Sequence, residues 1–414
     1  MTTFHIRSLG CKVSQYDGEK LAEKLCLLGL KSVEEHPDIF ILNGCSVTSR
    51  ASQKAGQIMR SVKRANPNVK IVLAGCEARL TKRNNAITQN IDWVMTHNDD
   101  LSVKQMLSAL SLDIDETNSM SCTPKALTQK TRAYLKIQDG CTQFCTYCIV
   151  SRLRGPEWSR PIEDAVFEAQ LLADEGHKEI VLTGIHIGHF KPSLMPLLNE
   201  LEKISKIERI RLSSIEPTEV DDELIDWVAS SGKSCHHFHL PLQSGCDKIL
   251  KAMNRPYCTE DFRNIVKKIR AEIPNAAITT DLIVGFPGET EQDFNETMSF
   301  LKEMKFSRIH IFKFSPRDGT PAAVMPNQVN NGEKNRRSDL VQDIWHESAK
   351  EFHSKFLGQE LEVLWETEEN GCFSGFSKEY VPCILPENGQ KLENTITTAI
   401  GLKATADHLT VEAI

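Results

Sequence analysis

The first hundred residues repeat one pattern of apolar and polar positions. Thr3-Phe4-His5-Ile6-Arg7-Ser8-Leu9 closes on Gly10-Cys11, Asp38-Ile39-Phe40-Ile41-Leu42-Asn43 on Gly44-Cys45, and Val69-Lys70-Ile71-Val72-Leu73-Ala74 on Gly75-Cys76. Each is a β-branched or apolar run of strand length, ended by a glycine that permits a turn. Leu21, Leu25 and Leu28 recur at helical spacing between the first two runs, with Gly29 as a stop. Between the second pair, Ala55, Ile58, Met59 and Val62 form an apolar stripe behind Ser49, an N-cap residue type. Strand, helix, strand, helix, strand predicts a parallel α/β domain over residues 1–110. Residues 111–131 are polar, without either period, and read as a linker.

From Ala133 onward six strand-like runs alternate with helical patterns: Tyr134–Gln138, Glu179–Thr183, Ile210–Ser214, His237–Leu242, Ala277–Val284 and Arg308–Phe314. Six βα units over residues 132–345 make a partial (β/α)6 barrel, short of the eight that close a full one. A helical connector around Glu333–Lys355 leads into residues 353–414. There Leu361–Trp365, Tyr380–Leu385, Thr395–Ile400 and Leu409–Ile414 read as short strands, with hairpin signals at Asn370-Gly371 and Asn388-Gly389. A small all-β module is expected.

Three units suit 414 residues, too many for one core. No stretch approaches the roughly 18 apolar residues of a membrane helix, so no membrane partner is expected. The start, MTTFHIRSLGCK, has no basic region leading into an apolar one, so a cytoplasmic protein is expected. The net charge of −7 hides an uneven spread. From Arg50 to Arg83 there are nine basic residues and one acid, from Lys125 to Arg160 seven against two, and from His353 onward four lysines against ten acids. Two basic regions therefore precede an acidic tail.

In a reducing compartment, 13 cysteines read as metal, cluster or catalytic ligands plus a few buried thiols. Cys141, Cys145 and Cys148 fall within eight residues directly after the first barrel strand, in QDGCTQFCTYCIV. Three thiolates can wrap a loop around one iron–sulfur centre; four is the usual number, so one iron is left without a protein ligand and open to substrate. The competing reading, a structural zinc with a distant fourth ligand among His236, His237 and His239, lacks the second ligand pair of zinc modules. Cys11, Cys45 and Cys76 form a second set. Each lies just past the carboxyl end of a parallel strand, and such ends share the edge where these sheets place ligands. One such thiol would be read as buried packing; three equivalent Gly-Cys pairs favour a second three-thiolate centre. The remaining seven cysteines show no ligand spacing, and in HHFH (236–239) packing is the expected role.

The Cys-x3-Cys-x2-Cys loop on that strand resembles the radical S-adenosylmethionine (SAM) superfamily. In that superfamily the open iron holds SAM, which is cleaved to a 5′-deoxyadenosyl radical. Leu182-Thr183-Gly184 resembles its turn against the SAM amino group, and Asp281 to Glu289 (DLIVGFPGE) its segment against adenine. The resemblance implies cofactor contacts by Thr183, Gly184, Glu216, Gln243, Asp281 and Gly285. Over nearly the whole chain, SLGCKVSQYDGE, LNGCSVTSRA, LAGCEARL, RLSSIEP, HFHLPLQSGCDKILKAMNRPY and FSPRDGTPAAVMPNQV resemble the methylthiotransferases. These have an N-terminal cluster domain, a radical SAM domain and a C-terminal TRAM module. The resemblance implies two [4Fe-4S] clusters, one on Cys11, Cys45 and Cys76 offering sulfur and one on Cys141, Cys145 and Cys148 binding SAM. It also implies an electron donor and a sulfur source as partners. GCKVSQY, HFHLPLQSG and SPRDGTPAA resemble the type that adds a methylthio group to C2 of N6-threonylcarbamoyladenosine at tRNA position 37. The alternatives are isopentenyladenosine in tRNA, an aspartate of a ribosomal protein, or a cluster-bearing RNA-binding protein without activity. Two local departures are Gly44, where a threonine is common, and Ser151, in place of a usual proline.

A tRNA partner needs positive surface, since phosphate contacts dominate affinity. Arg50, Lys54, Arg60, Lys63 and Arg64 fall largely away from the apolar stripe of their helix, giving a candidate RNA face or a solvated one. Arg152, Arg154 and Arg160, beside the cysteine loop, are candidates for substrate or SAM contacts or for loop packing. In the acidic tail, Phe373, Phe376 and Tyr380 would either stack on unpaired bases or fill the module's core.

Overall fold

The computed structural model of the chain describes residues 1–47, 49–80, 89–112, 131–386 and 391–414. The expected linker lies almost wholly outside these residues, as do Asn388-Gly389, Cys122 and the side chain of Ser49. Strands β1 (Thr3–Ser8), β2 (Lys31–Ser32), β3 (Ile39–Gly44), β4 (Lys70–Ala74) and β5 (Trp93–Val94) form one parallel sheet in the order β2-β1-β3-β4-β5. The two-residue edge strands β2 and β5 are too short to leave a pattern in the sequence. β3 is buried on both faces, as a central parallel strand requires. Leu21 and Leu25 of the helix Lys12–Leu27 fill one side of the sheet, and Ala55, Ile58 and Met59 of the helix Ser49–Ala65 the other. Gly29 ends the first helix with φ +83°, a left-handed value open to glycine.

The first barrel strand is β6 (Arg132–Lys136), and β7 (Gln138–Asp139) pairs antiparallel with β8 (Trp158–Ser159) across the cysteine loop. The run expected as one strand, Tyr134–Gln138, is thus divided: β6 begins two residues earlier, and Gln138 serves the small ribbon. β9 (Glu179–Thr183) and β10 (Arg209–Leu212) complete one parallel sheet, β10-β9-β6. β11 (His237–His239), β12 (Ala277–Val284) and β13 (Arg308–Lys313) form a second. Bridges Ile210–Ser234 and Ser214–His239 join the two into a six-strand open barrel. Side chains alternate across a strand, so Ile210 and Leu212 join the apolar layer under the helices while Arg209 and Arg211 turn the opposite way. The inward layer is polar: Glu179, Arg211, His237, His239, Thr279 and Asp281 bond to one another.

Beyond the helix Asn331–Ser354, strands β14 (Glu360–Glu369), β15 (Cys372–Ser377), β16 (Pro382–Leu385), β17 (Ile396–Ala404) and β18 (Leu409–Ala413) close a barrel in the order β14-β15-β16-β18-β17. Asn370 and Gly371 both take positive φ at the β14–β15 turn, as their hairpin signal predicts. β15 is a fifth strand where four were expected. Its sequence, CFSGFS, carries too little apolar alternation to announce one, and Gly375 is needed because a Cβ there would lie 2.1 Å from the carbonyl of Leu364.

Candidate iron–sulfur and SAM site

Because β1, β3 and β4 are neighbours in register, the residues after their carboxyl ends meet at one edge. All three Gly-Cys pairs then have the same steric cause. A Cβ on Gly10 (φ +110°) would stand 2.9 Å from the Cys45 sulfur. One on Gly75 (φ +75°) would stand 2.2 Å from the Asn43 side chain, and one on Gly44 would stand 2.7 Å from the Cβ of Glu77. The space a threonine would need at position 44 is therefore filled by Glu77, which is buried and bonded to the Ser52 hydroxyl. Burial pushes the Cys45 thiol up to about 11, and the proximity of Cys11 and Cys76 acts in the same direction. Cys76 is also raised by burial and opposed by Arg154. Three converging thiols, one exposed at the rim and two drawn inward, suit a cluster open on one side.

The second triad begins at Gly140 (φ +78°), whose Cβ would lie 2.0 Å from the Pro156 carbonyl. Every thiol of this loop faces a nitrogen. The Gln143 amide donates to Cys141 at 3.5 Å, the Val150 amide to Cys148 at 3.4 Å, and Arg255 Nη1 to Cys145 at 3.2 Å. His186 Nδ1 lies 3.7 Å from Cys141. Burial raises the Cys145 thiol and pushes Cys148 up to about 12, and the N–H groups of Arg255 and Val150 oppose that rise, toward the thiolate that binds iron. Burial lowers His186, but its bonds to Cys141 and Glu219 outweigh this and raise it to about 10. His237 and His239 instead share the Thr279 hydroxyl, and His236 faces Glu379, so none serves the triad as a zinc ligand.

Of the expected cofactor contacts, Gln243 and Asp281 line a cleft of about 170 Å³ together with Cys148, Tyr147, Ile283 and Phe312. Val47, two residues past Cys45, lines the same cleft. Thr183 ends β9 and Gly184 follows it, leading into a turn where Gln138 Oε1 accepts the amides of Ile185 and His186. A Cβ on Gly184 would press on Gln138 and Ile187. The other two expected contacts have protein partners in this structure. Glu216 is ion-paired with Arg255 and so stands behind Cys145. Gly285 turns the chain against Lys334 and donates its amide to Glu289 at 2.6 Å.

Arg50, Lys54, Arg60 and Arg64 are exposed on one helix, as is Arg152 on the cysteine loop, whereas Lys63 is tied to the Val69 carbonyl and Asp92. Arg154 and Arg160 are not surface cations. Arg154 is 3% exposed and bonds Asp17 at 3.1 Å and Asp139 at 3.0 Å. Arg160 pairs with Glu168, which also accepts from Tyr16. These side chains join the first domain to the second. Arg317, in the loop after β13, does the same by donating to the Ser46 carbonyl at 2.6 Å and Ser52 at 3.0 Å. In the terminal barrel Phe373 is core, and Phe376 and Tyr380 stack on each other under Arg132 and Arg211, so none of the three is free to meet bases. Arg255 and Arg317 were legible only as parts of longer motifs, without a spacing that assigned them a task, and His186 and Glu219 lie outside every motif singled out in the sequence.

The barrel and cysteine loop define a radical SAM protein. Residues 135–301 match the Radical SAM superfamily, and residues 3–96 match a family described as Uncharacterized protein family UPF0004. The fold is similar to the radical S-adenosylmethionine methyltransferase TsrM from Kitasatospora setae (TM-score 0.59, 13% identity, 78% of this chain and 75% of that one). The Threonylcarbamoyladenosine tRNA methylthiotransferase MtaB of Bacillus subtilis (strain 168) is 36% identical over 93% of this chain and 90% of the relative. Its namesake from Thermotoga maritima is 35% identical over 92% and 91%. A tRNA-2-methylthio-N(6)-dimethylallyladenosine synthase of Thermoanaerobacter pseudethanolicus is 37% identical over 88% and 82%. The chain belongs to the radical SAM tRNA methylthiotransferase family.

Proposed function

We propose that this enzyme places a methylthio group on C2 of N6-threonylcarbamoyladenosine beside the tRNA anticodon. In this reading residues 1–110 form the sulfur-donating cluster domain, 111–131 a linker, 132–345 the SAM domain and 353–414 the TRAM module. The family's cofactors are SAM and two [4Fe-4S] clusters, which supply a carbon-centred radical and the sulfur. Cys11, Cys45 and Cys76 would hold one cluster, and Cys141, Cys145 and Cys148 the other. The observation that carries the reading is one cleft lined both by Cys148 and by Val47, two residues past Cys45.

The chain's own residues then have definable tasks. Asp281 and Gln243 offer polar groups to a nucleoside, while Ile283, Phe312 and Phe314 keep the cleft apolar and so exclude water. Arg255 and His186, braced by Glu216 and Glu219, fix two of the thiols. Arg50, Lys54, Arg60, Arg64 and Arg152 present exposed charge to the phosphates of an anticodon loop. An adenosine in such a loop exposes its edge at less cost than one in a duplex. A cytoplasmic electron donor and a sulfur source complete the partners. Identity does not separate the two tRNA acceptors, at 36% against 37%, but alignment spans 90% of the threonylcarbamoyl-type relative and 82% of the dimethylallyl-type one. Mass spectrometry of tRNA nucleosides from cells with and without the gene tests the choice. Loss of the methylthio form of threonylcarbamoyladenosine supports it, and an unchanged profile rejects it.

A further inference from the structure

One histidine beside the cysteine loop is held on every side but one, and that side meets a thiol. His186 lies three residues past β9 and is 5% exposed. Its amide donates to Gln138 Oε1 at 2.7 Å. Its ring stacks on that of His189, with centroids 3.8 Å apart and planes 21° apart. Its Nε2 meets Glu219 Oε1, which His189 Nε2 also approaches at 3.2 Å. A Cβ on Gly188 would lie 1.9 Å from Glu219 Oε2, so glycine there is what lets the carboxylate reach both rings. Two acceptors stand near Nδ1: the Cys141 sulfur at 3.7 Å and Glu157 Oε1 at 3.8 Å. That Glu157 oxygen already faces the Thr142 amide at 3.2 Å, the Thr142 hydroxyl at 2.7 Å and His189 Nδ1 at 2.8 Å. Its lone pairs are taken, which leaves the sulfur for the Nδ1 hydrogen. A carboxylate and an iron-bound thiolate offer only lone pairs, so each ring nitrogen of His186 acts as a donor.

Hydrogen bonds to the sulfurs of an iron–sulfur cluster help set its reduction potential. Reduction adds one negative charge, so an N–H aimed at a sulfur stabilises the reduced form more than the oxidised one, and most where water is excluded. We propose that His186, fixed by Glu219 and His189, is a positioning residue that raises the potential of the cluster on Cys141, Cys145 and Cys148 through an N–H···S bond to Cys141. This rests on the cluster reading above. The step concerned is the entry of one electron from the electron donor, with no bond formed or broken. A raised potential lets a weaker reductant fill the cluster before SAM is cleaved. The buried, doubly anchored ring suits that task better than a mobile side chain, because its donor keeps one distance from the sulfur.

The test is an anaerobic redox titration of the iron-loaded chain, followed by the EPR signal that changes when SAM is added. Wild type, His186→Leu and His186→Asn are compared at matched iron content. At the potential where wild type is half reduced, loss of the bond in His186→Leu should lower the ratio of reduced to oxidised cluster about tenfold, equal to about 59 mV for one electron. His186→Asn keeps an N–H near the place of Nδ1 and should stay within about threefold of wild type. An unchanged ratio in His186→Leu overturns the proposal. An equal fall in both variants assigns the shift to lost packing and also overturns it. Wild type with 15N-labelled histidine gives a check that needs no variant to fold. Pulsed EPR of the same signal should show coupling to a histidine nitrogen, and its absence overturns the proposal. A chain that binds iron but shows no SAM-sensitive signal would instead remove the cluster reading itself.

Discussion

Arg154 gives the sharpest energetic prediction, because its guanidinium is nearly sealed from solvent at the junction of two domains. It donates to Asp17, on the first helix of the N-terminal domain, and to both oxygens of Asp139, two residues before Cys141. Lys136 is the second cation, at 2.5 Å from Asp17 and 3.2 Å from Asp139. In Arg154→Met one ammonium would remain for two carboxylates. Removing one member of a buried pair costs about 3–5 kcal/mol. The carboxylates are about a fifth exposed and keep Lys136, so the lower end, about 3 kcal/mol, applies. For a cooperative unit of this size that is a fall of about 6–12 °C in the melting midpoint by calorimetry. Adding Asp17→Asn should recover part of the loss, since the stranded charge goes with it. Burial pushes the Asp139 carboxyl up, but Arg154 and Lys136 outweigh it and hold it below the ordinary 3.8. A carboxyl depressed by folding stabilises above its unfolded value, and that stability is lost as pH falls through the folded value. The deficit of Arg154→Met should therefore shrink on the acid side of 3.8. A midpoint within about one degree of wild type at neutral pH would refute this reasoning.

Three further outcomes follow from the same geometry. Anaerobic iron analysis should find about eight irons per chain, and Cys45→Ala should lose about half of them; full retention would remove the first triad from the account. Gly140→Ala puts a Cβ against a backbone carbonyl at positive φ, so it should lower stability by about 1–3 kcal/mol and deplete iron from the second triad alone, as read by Mössbauer spectroscopy. Arg211→Met strips fully buried Glu179 of its bidentate partner and frees the Ser377 carbonyl, and urea unfolding should register about 3 kcal/mol or more.

The parts of this architecture written in short-range pattern were legible in the sequence. Three apolar runs with matching glycines gave three adjacent parallel strands, and Leu21, Leu25 and the Ala55–Val62 stripe face the layers their spacing predicts. The positions of the two cysteine sets were legible too, because one follows three strands that pair in register and the other sits in a tight loop after β6. What the sequence hid depends on partners far along the chain. Arg154 reads as a basic residue in a basic stretch until Asp17 comes from 137 positions away. The pairing of Glu216 with Arg255, 39 positions further on, has no local signal either. Phe376 and Tyr380 look like base-stacking candidates, yet they lie between the terminal barrel and Arg132 and Arg211. β15 was missed because glycine and serine, which permit its close pairing, erase the alternation that marks a strand.

The central claim is that both thiol triads serve one reaction on one nucleoside. Its most direct test incubates the doubly loaded chain with a reductant, methyl-deuterated SAM and an anticodon stem-loop bearing threonylcarbamoyladenosine. The digested nucleosides are then weighed by mass spectrometry. The account predicts a threonylcarbamoyladenosine heavier by one deuterated methylthio group in place of hydrogen, formed only when all six cysteines are intact. Release of 5′-deoxyadenosine with an unaltered nucleoside, or the same product from a chain lacking Cys11, Cys45 and Cys76, would contradict it.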